Sequence, residues 1–352
     1  MELNNIIFST LLLLLGYFFI KYFIIFLKKS KFNLLIDNQF DKPQAFHENS
    51  VYRVGGIAIF FLLILVFLYL FFSKNIFFYE YISFCALFFI LGLVDDLKAN
   101  IRPKFRLIIM IAILLFLLIS NELYIEKTGL EFLNYLLKID VFSIMFMCIC
   151  FLFIINGSNL IDGFNGLLGI HTLIIISVLL VINLINGHND LMYMMYYVGL
   201  AILIFLVFNF PNAKIFLGDS GAYLIGTFIA VSTINTSILN PHIAPFFFCI
   251  LLFYLFIEVF FSFFRKIIFA KQSPLLPDNK HFHMILYKFF IKKKNTKASS
   301  NYKVSIYMNM IYLLLIIPGI IFMSNGIFCR YYFFSLLFIY LYFYKILYEK
   351  VK

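Results

Sequence analysis

Apolar residues run along this chain in long blocks separated by short polar intervals. Eleven blocks stand out, near residues 6–27, 54–73, 76–94, 107–124, 141–157, 167–186, 192–210, 221–239, 244–264, 305–323 and 327–345. Each approaches the roughly 20 residues that a helix needs to cross the hydrocarbon core of a bilayer. Only Lys74 and Asn75 part the second block from the third, so the two could be counted as one. The pattern predicts an all-α, polytopic integral membrane protein of about 10–11 transmembrane helices. The leader MELNN carries no Lys or Arg, and no small-residue cleavage site follows the first block. That block is therefore expected to be a true first span and not a cleaved signal.

Composition agrees. The 352 residues are 64% hydrophobic and 13% charged, with a mean hydropathy of +1.00, whereas soluble domains are about half apolar and a quarter charged. Charge then orients the helices. With the N-terminus outside, the inner loops are 28–53, 95–106, 158–166, 211–220, 265–304 and the tail from 345, and they hold 23 of the 28 Lys and Arg. Lys and Arg concentrate on the cytoplasmic side, which predicts an outside N-terminus and a cytoplasmic C-terminus. The net charge of +11 follows from this bias and suits an anionic inner leaflet. No nucleic-acid partner is implied, and the mixed aromatic and basic run 288–294 fits a membrane surface. The five cysteines all fall within predicted spans, show no metal-type spacing, and read as small apolar residues. No linker or repeat divides the chain, so 1–352 is read as a single transmembrane domain. Its one long loop, 265–304, is expected to be mobile and solvated over 291–304.

The acids carry the chemistry. Seven of the nine aspartates fall in the inner loops, although acids contribute little to orientation. Four inner segments give them context. In GLVDDLKANIRPKFRL, Asp95 and Asp96 end a span and Lys98, Arg102, Lys104 and Arg106 follow. Adjacent carboxylates repel unless a hard cation such as Mg²⁺ shares the space, and crowding splits their pKa values so that one can act as a base. In INGSNLIDGFNGLLG, Asn156, Asn159, Asp162 and Asn165 recur at every third position, a spacing that puts neighbours on one side of a helix. Three amides, an acid and three glycines exceed what polar glue between helices needs, and read as a hydrogen-bonding pocket. In FNFPNAKIFLGDSGAYLIG, Asp219 stands in a Gly-Asp-Ser-Gly turn before a span. This is either a capped helix start or a place where free N–H groups meet phosphate and the carboxylate meets a metal. In SPLLPDNKHFHMIL, His281 and His283 follow Lys280; no third ligand completes a zinc site, so phosphate or leaving-group contact is the better reading.

These four segments, in this order, resemble the polyprenyl-phosphate N-acetylhexosamine-1-phosphate transferases, a family that includes the phospho-MurNAc-pentapeptide translocase. The resemblance covers residues 37–286, and HENSVYRVGGIAI, which runs from His47 to an Arg-x-Gly-Gly, is similar to the family's first inner loop. Departures are Val51 and Tyr52 where a Pro usually stands before the Arg, Asn165 where some members have Asp, and Met284 where a further His is common. The Arg-x-Gly-Gly and His-x-His forms look closer to the UDP-HexNAc branch. The resemblance implies transfer of a sugar 1-phosphate from a UDP-HexNAc to undecaprenyl phosphate at the cytoplasmic face of a bacterial inner membrane, with release of UMP. It further implies Mg²⁺ (Mn²⁺ as substitute) held by Asp219 and Asp95, and Asp95, Asp96 and Asp219 as catalytic acids. Asp95 or Asp96 would deprotonate or orient the acceptor phosphate. Substrate contacts are expected from Asn156, Asn159, Asp162, Asn165, Asn209, Lys104, Arg106, His47, His281 and His283. A homodimer is compatible with the family. The competing reading is a transporter or flippase, which places ionisable groups at the bilayer midplane. The candidates there are Glu80, His171, Glu258 and Arg330, each expected near an interface or packed against a polar partner, while the acids gather at one face.

Overall fold

In the computed structural model, which describes residues 3–30, 34–37, 50–97, 101–269, 271, 273, 274, 276 and 278–352, ten of the eleven apolar blocks form one helix each and the block 244–264 forms two. The long helices are α1 (Leu3–Ser30), α2 (Gly55–Lys74), α3 (Tyr79–Asp96), α4 (Pro103–Ser120), α6 (Asp140–Ile161), α7 (Leu167–Ile185), α8 (Asn189–Asn209), α9 (Gly218–Leu239), α13 (Lys297–Ile321) and α14 (Gly326–Val351). Shorter helices are α5 (Glu131–Leu136), α10 (Pro245–Leu251), α11 (Phe253–Phe264) and α12 (Phe282–Lys292). Among the described residues nine helices are long and apolar enough to cross a membrane, or ten when α10 and the segment Phe253–Ile268, bent by 76°, are counted as one broken span. The 18 residues of α3 are also of spanning length, but they carry Glu80, Asp95 and Asp96. The chain is thus an all-α, multi-pass membrane protein.

The boundary between the second and third blocks is genuine. Asn75 adopts φ 57°, and its N–H returns to the carbonyls of Leu70 and Phe71, the left-handed cap that ends a helix and lets the chain reverse.

At the centre stands α9, which packs against α2, α3, α6 and α7. Its first half is rich in small residues, Gly218, Ser220, Gly221, Ala222 and Gly226, which allow backbones to approach closely where lipid leaves no hydrophobic drive between helices. Gly92 of α3 faces this surface; a Cβ there would lie 2.5 Å from the Asp219 carbonyl and the Ser220 backbone.

Two features depart from the sequence reading. Three very short strands, β1 (Ile36–Asp37), β2 (Val51–Arg53) and β3 (Ile215–Phe216), form a sheet in that order, β1 antiparallel and β3 parallel to β2. This sheet ties the first inner loop to the segment that enters α9. The segment 291–304, exposed over 291–294 and 296–298 as expected, is more regular than a solvated loop. The α12 helix runs to Lys292, Thr296 caps α13 by accepting from the Ser299 N–H at 3.2 Å, and Ser300, Asn301 and Val304 are buried. The correction has a simple cause: Asn301 holds a turn of the site, as described next.

Candidate active site

The three acids come from the ends of two antiparallel helices. Carboxylates at the C-terminus of α3 oppose that helix's own dipole. The neighbouring start of α9 compensates, because its first N–H groups have no partner within their own helix. Asp96 takes them. Its Oδ1 accepts from the Asp219 N–H at 3.0 Å, and its Oδ2 accepts from the Ser220 N–H at 2.9 Å and the Ser220 hydroxyl at 2.6 Å. Asp96 is 2% exposed. Gly218 turns into the helix at φ 78°, and a Cβ there would sit 2.5 Å from Asp96 Oδ2. The cap of α9 is therefore neither Asp219 nor Ser220 but an acid from another helix. This corrects the expectation that these N–H groups await a phosphate: those of Asp219 and Ser220 are already spent.

Asp95 and Asp219 share a cation. Arg106 of α4 donates from Nη1 to Asp95 Oδ2 at 3.0 Å and lies 3.8 Å from Asp219 Oδ2, over the ring of Tyr223. Asn159 of α6 donates to Asp219 Oδ1 at 2.8 Å. Side-chain exposure separates the acids: 0% for Asp96, 7% for Asp95 and 29% for Asp219. Asp219 is the most accessible of the three. Replacing Arg106 by Lys is expected to lower turnover roughly 10- to 100-fold, because a strongly hydrated ammonium on a flexible stem is held less firmly between two carboxylates and over the Tyr223 ring than a planar guanidinium. Steady-state rates in detergent check this, and a wild-type rate would show that the guanidinium is dispensable.

The Asn-x-x-Asn-x-x-Asp-x-x-Asn run divides. Asn156 and Asn159 share a face of α6, as the spacing predicts, and both border a groove between α4, α6 and α11. Asn156 donates to the Leu152 carbonyl of its own helix. At Asp162 the helix ends. The Asp162 side chain is partly accessible yet surrounded by protein; burial pushes its carboxyl well above the usual range, Asp219 and Asp96 add to the push, and Arg53 opposes it. Asn165 lies beyond the helix, so the three-residue spacing no longer aligns it. Its N–H donates to Asn301 Oδ1 and its amide to the Pro211 carbonyl. Asn209 bridges the Gly166 N–H and the Ile215 carbonyl. In this geometry Asn165 and Asn209 secure the turn 162–166, while Asn159 reaches the acids.

The first inner loop adds a residue that the sequence reading used only as a motif letter. Arg53, on β2, binds Asp37 Oδ2 through Nη2 at 2.7 Å and Nε at 3.1 Å, and its Nη1 lies 3.8 Å from Asp96 Oδ1. Behind it the Gly56 N–H donates to the Leu217 carbonyl at 2.8 Å, stitching the loop to the approach of α9. Lys104 is exposed on the first turn of α4. His47 lies outside the described residues.

The two histidines are more enclosed than a basic loop suggests. His281 and His283 are 2% and 0% exposed, with parallel rings 5.6 Å apart at the start of α12. His283 Nδ1 pairs with the Tyr254 hydroxyl at 2.9 Å, and its ring meets Phe164 edge-on at 5.7 Å, joining this loop to the turn after Asp162. Burial pushes His283 down to about 4 against the pull of Glu258, so it is neutral near pH 7. The intramembrane polar residues have local partners: Glu80 accepts from Asn235 at 3.0 Å, His171 faces Asn309 at 3.3 Å, and Arg330 reaches the Gly129 carbonyl at 3.4 Å. Glu258 binds His281.

Fold and site together define a multi-pass membrane protein with an acid-lined polar site at one end of its helical bundle. The model of glycosyl transferase family 4 matches residues 77–237. An undecaprenyl-phosphate alpha-N-acetylglucosaminyl 1-phosphate transferase of Thermotoga maritima is 28% identical over 275 residues, 77% of this chain and 78% of that protein. Two phospho-N-acetylmuramoyl-pentapeptide-transferases are also similar. That of Dictyoglomus turgidum is 30% identical over 306 residues, 82% of this chain and 95% of its own, and that of Dictyoglomus thermophilum is 32% identical over 265 residues, 70% and 81%. The chain belongs to glycosyl transferase family 4.

Proposed function

We propose that this protein transfers an N-acetylhexosamine 1-phosphate from a UDP-sugar to undecaprenyl phosphate, at the cytoplasmic face of a bacterial inner membrane, as the first membrane step of an envelope glycan. The observation that carries the reading is the continuity of two unlike surfaces. A groove of about 320 Å³ between α4, α6 and α11, with Leu107, Met110, Ile149, Phe153, Val259 and Phe263 in its wall, is also lined by Arg106 and Asn159, two side chains that reach Asp219. A mostly apolar groove whose wall carries a cation and an amide that both reach an accessible acid suits a lipid whose head group is a phosphate.

In this reaction an oxygen of the lipid phosphate attacks the donor phosphorus that carries the sugar. One P–O bond forms, the bond from that phosphorus to the UMP phosphate breaks, and UMP leaves. A phosphate monoester is already largely dianionic at neutral pH, so the attacking oxygen needs little help from a base. The larger obstacle is repulsion between two anions, which placed cations must offset. Arg106 is positioned to do so in the groove wall, and Asp95 holds it there. Among the described residues no three His, Cys, Asp or Glu side chains are placed to hold an ion by themselves. Mg²⁺ fits nonetheless, since it commonly binds through one or two carboxylates and completes its shell with water and substrate phosphate. Asp219, the accessible acid, would hold it; Asp95 is the less apt ligand because Arg106 engages its Oδ2. When bound, the ion would neutralise charge on the donor diphosphate, as Mn²⁺ could.

The test is mass spectrometry of the lipid product made from undecaprenyl phosphate with UDP-GlcNAc, UDP-GalNAc or UDP-MurNAc-pentapeptide. A lipid diphosphate bearing one N-acetylhexosamine, lost on chelation of divalent ions, is expected. Product from the pentapeptide donor alone would overturn the donor assignment. Uptake of sugar nucleotide into liposomes without any lipid-linked product would overturn the transferase reading.

A further inference from the structure

Glu258 sits in the apolar helix α11 with 1% of its side chain accessible. Three donors converge on it: His281 Nδ1 at 2.8 Å, the Phe282 N–H at 3.2 Å and the Tyr340 hydroxyl of α14 at 3.1 Å. A buried carboxylate among phenylalanines is a costly way to pack two helices, and a well-fitted apolar side chain would do so at lower cost. What it supplies is direction. A carboxylate only accepts, so His281 must carry its hydrogen on Nδ1, and Nε2 becomes the nitrogen left for other work. That Nε2 is buried and, among the described residues, makes no hydrogen bond, with Asp278 Oδ1 at 3.4 Å. Asp278 is itself held by Arg265 at 2.8 Å. One turn beyond Tyr340, Tyr344 donates to the Lys280 carbonyl at 2.9 Å and clamps the backbone just before the imidazole.

We infer that Glu258, braced by Tyr340 of the last helix, is a positioning residue that fixes the tautomer and ring orientation of His281. The inference rests on the transferase reading for its kinetic consequence, but not for its chemistry. Glu258→Gln can turn its NH₂ to His281 and impose the opposite tautomer while preserving size.

The experiment uses the full-length protein in detergent. Glu258→Gln is expected to lower kcat about 10- to 100-fold, the range typical of groups that orient a functional histidine, and to leave KM for the UDP-sugar within about 2-fold. His281→Ala combined with Glu258→Gln should be no slower than His281→Ala alone, since a group that acts through the histidine has nothing to act on once it is gone. Histidine-selective ¹⁵N spectra should show the His281 signals exchange from the Nδ1–H to the Nε2–H pattern. Unchanged kcat in Glu258→Gln, or additive losses in the double variant, would overturn the inference. Should Glu258→Gln fail to fold, Tyr340→Phe decides: a several-fold fall in kcat at an unchanged melting temperature supports the brace, and a wild-type kcat overturns it. If the wild-type protein transfers nothing from any donor, the transferase reading fails, while the ¹⁵N pattern still decides whether Glu258 sets the tautomer.

Discussion

Asp219→Asn is expected to slow transfer by about 10²- to 10³-fold while leaving the melting temperature within a few degrees of wild type, the size of loss seen when one preorganised electrostatic group is removed from an active site. The structural contacts of Asp219 explain why the fold should survive. Its N–H, which Asp96 caps, belongs to the backbone and is retained. Its Oδ1 accepts from Asn159, and an asparagine can offer its own carbonyl oxygen there. What disappears is the negative charge on the most accessible acid of the cluster, 3.8 Å from Arg106. Turnover and a thermal-shift assay on the same preparation check this. A variant that keeps its full rate would remove Asp219 from the chemistry and from metal binding.

Asp96→Ala should show the reverse balance. Two backbone N–H groups and one hydroxyl would lose their acceptor in a site that water scarcely enters, and each buried unsatisfied donor costs roughly 1–3 kcal/mol. The serine hydroxyl can rotate to another acceptor but the two amides cannot, so a loss of about 3–5 kcal/mol is expected. This corresponds to a clear fall in melting temperature. Activity falls with it, because the start of α9 carries Asp219. Asp96→Asn keeps acceptor capacity and should recover much of the stability. If Asp96→Ala melts with the wild type, Asp96 is not the cap that its three contacts describe. The pair separates two roles that side-by-side acids conceal in the sequence: one acid shapes the site, and its neighbour orients the cation within it.

Much of this molecule is legible before folding. Bilayer thickness sets helix length, so the apolar blocks that form the long helices can be read from their length alone, including the bent one that breaks at Leu252 without Pro or Gly to announce it. The acids are legible as a set because a charge at the end of an apolar block needs a reason. Their division of labour is not, because it depends on contacts across the chain: Asp96 meets the Asp219 N–H 123 positions later. Glu258 stood out as an isolated acid in an apolar run, yet its partners lie 23, 24 and 82 positions onward. Strands of two and three residues have no pattern to read. Asn165 and Asn209 matched the polar logic of a pocket, but their amides went to neighbouring backbone, a choice that local spacing does not encode.

The cap on α9 has a consequence for how the protein is made. Ribosomes deliver α3 to the membrane long before α9, so Asp96 spends that interval without the groups it will hold. A nascent chain halted before residue 218 would therefore carry a carboxylate pair at the rim of an unfinished bundle. Arrival of Gly218, Asp219 and Ser220 closes that defect, while α11 and the segment of His281 and His283 follow later, so Asp96 finds its partners before the rest of the site is made.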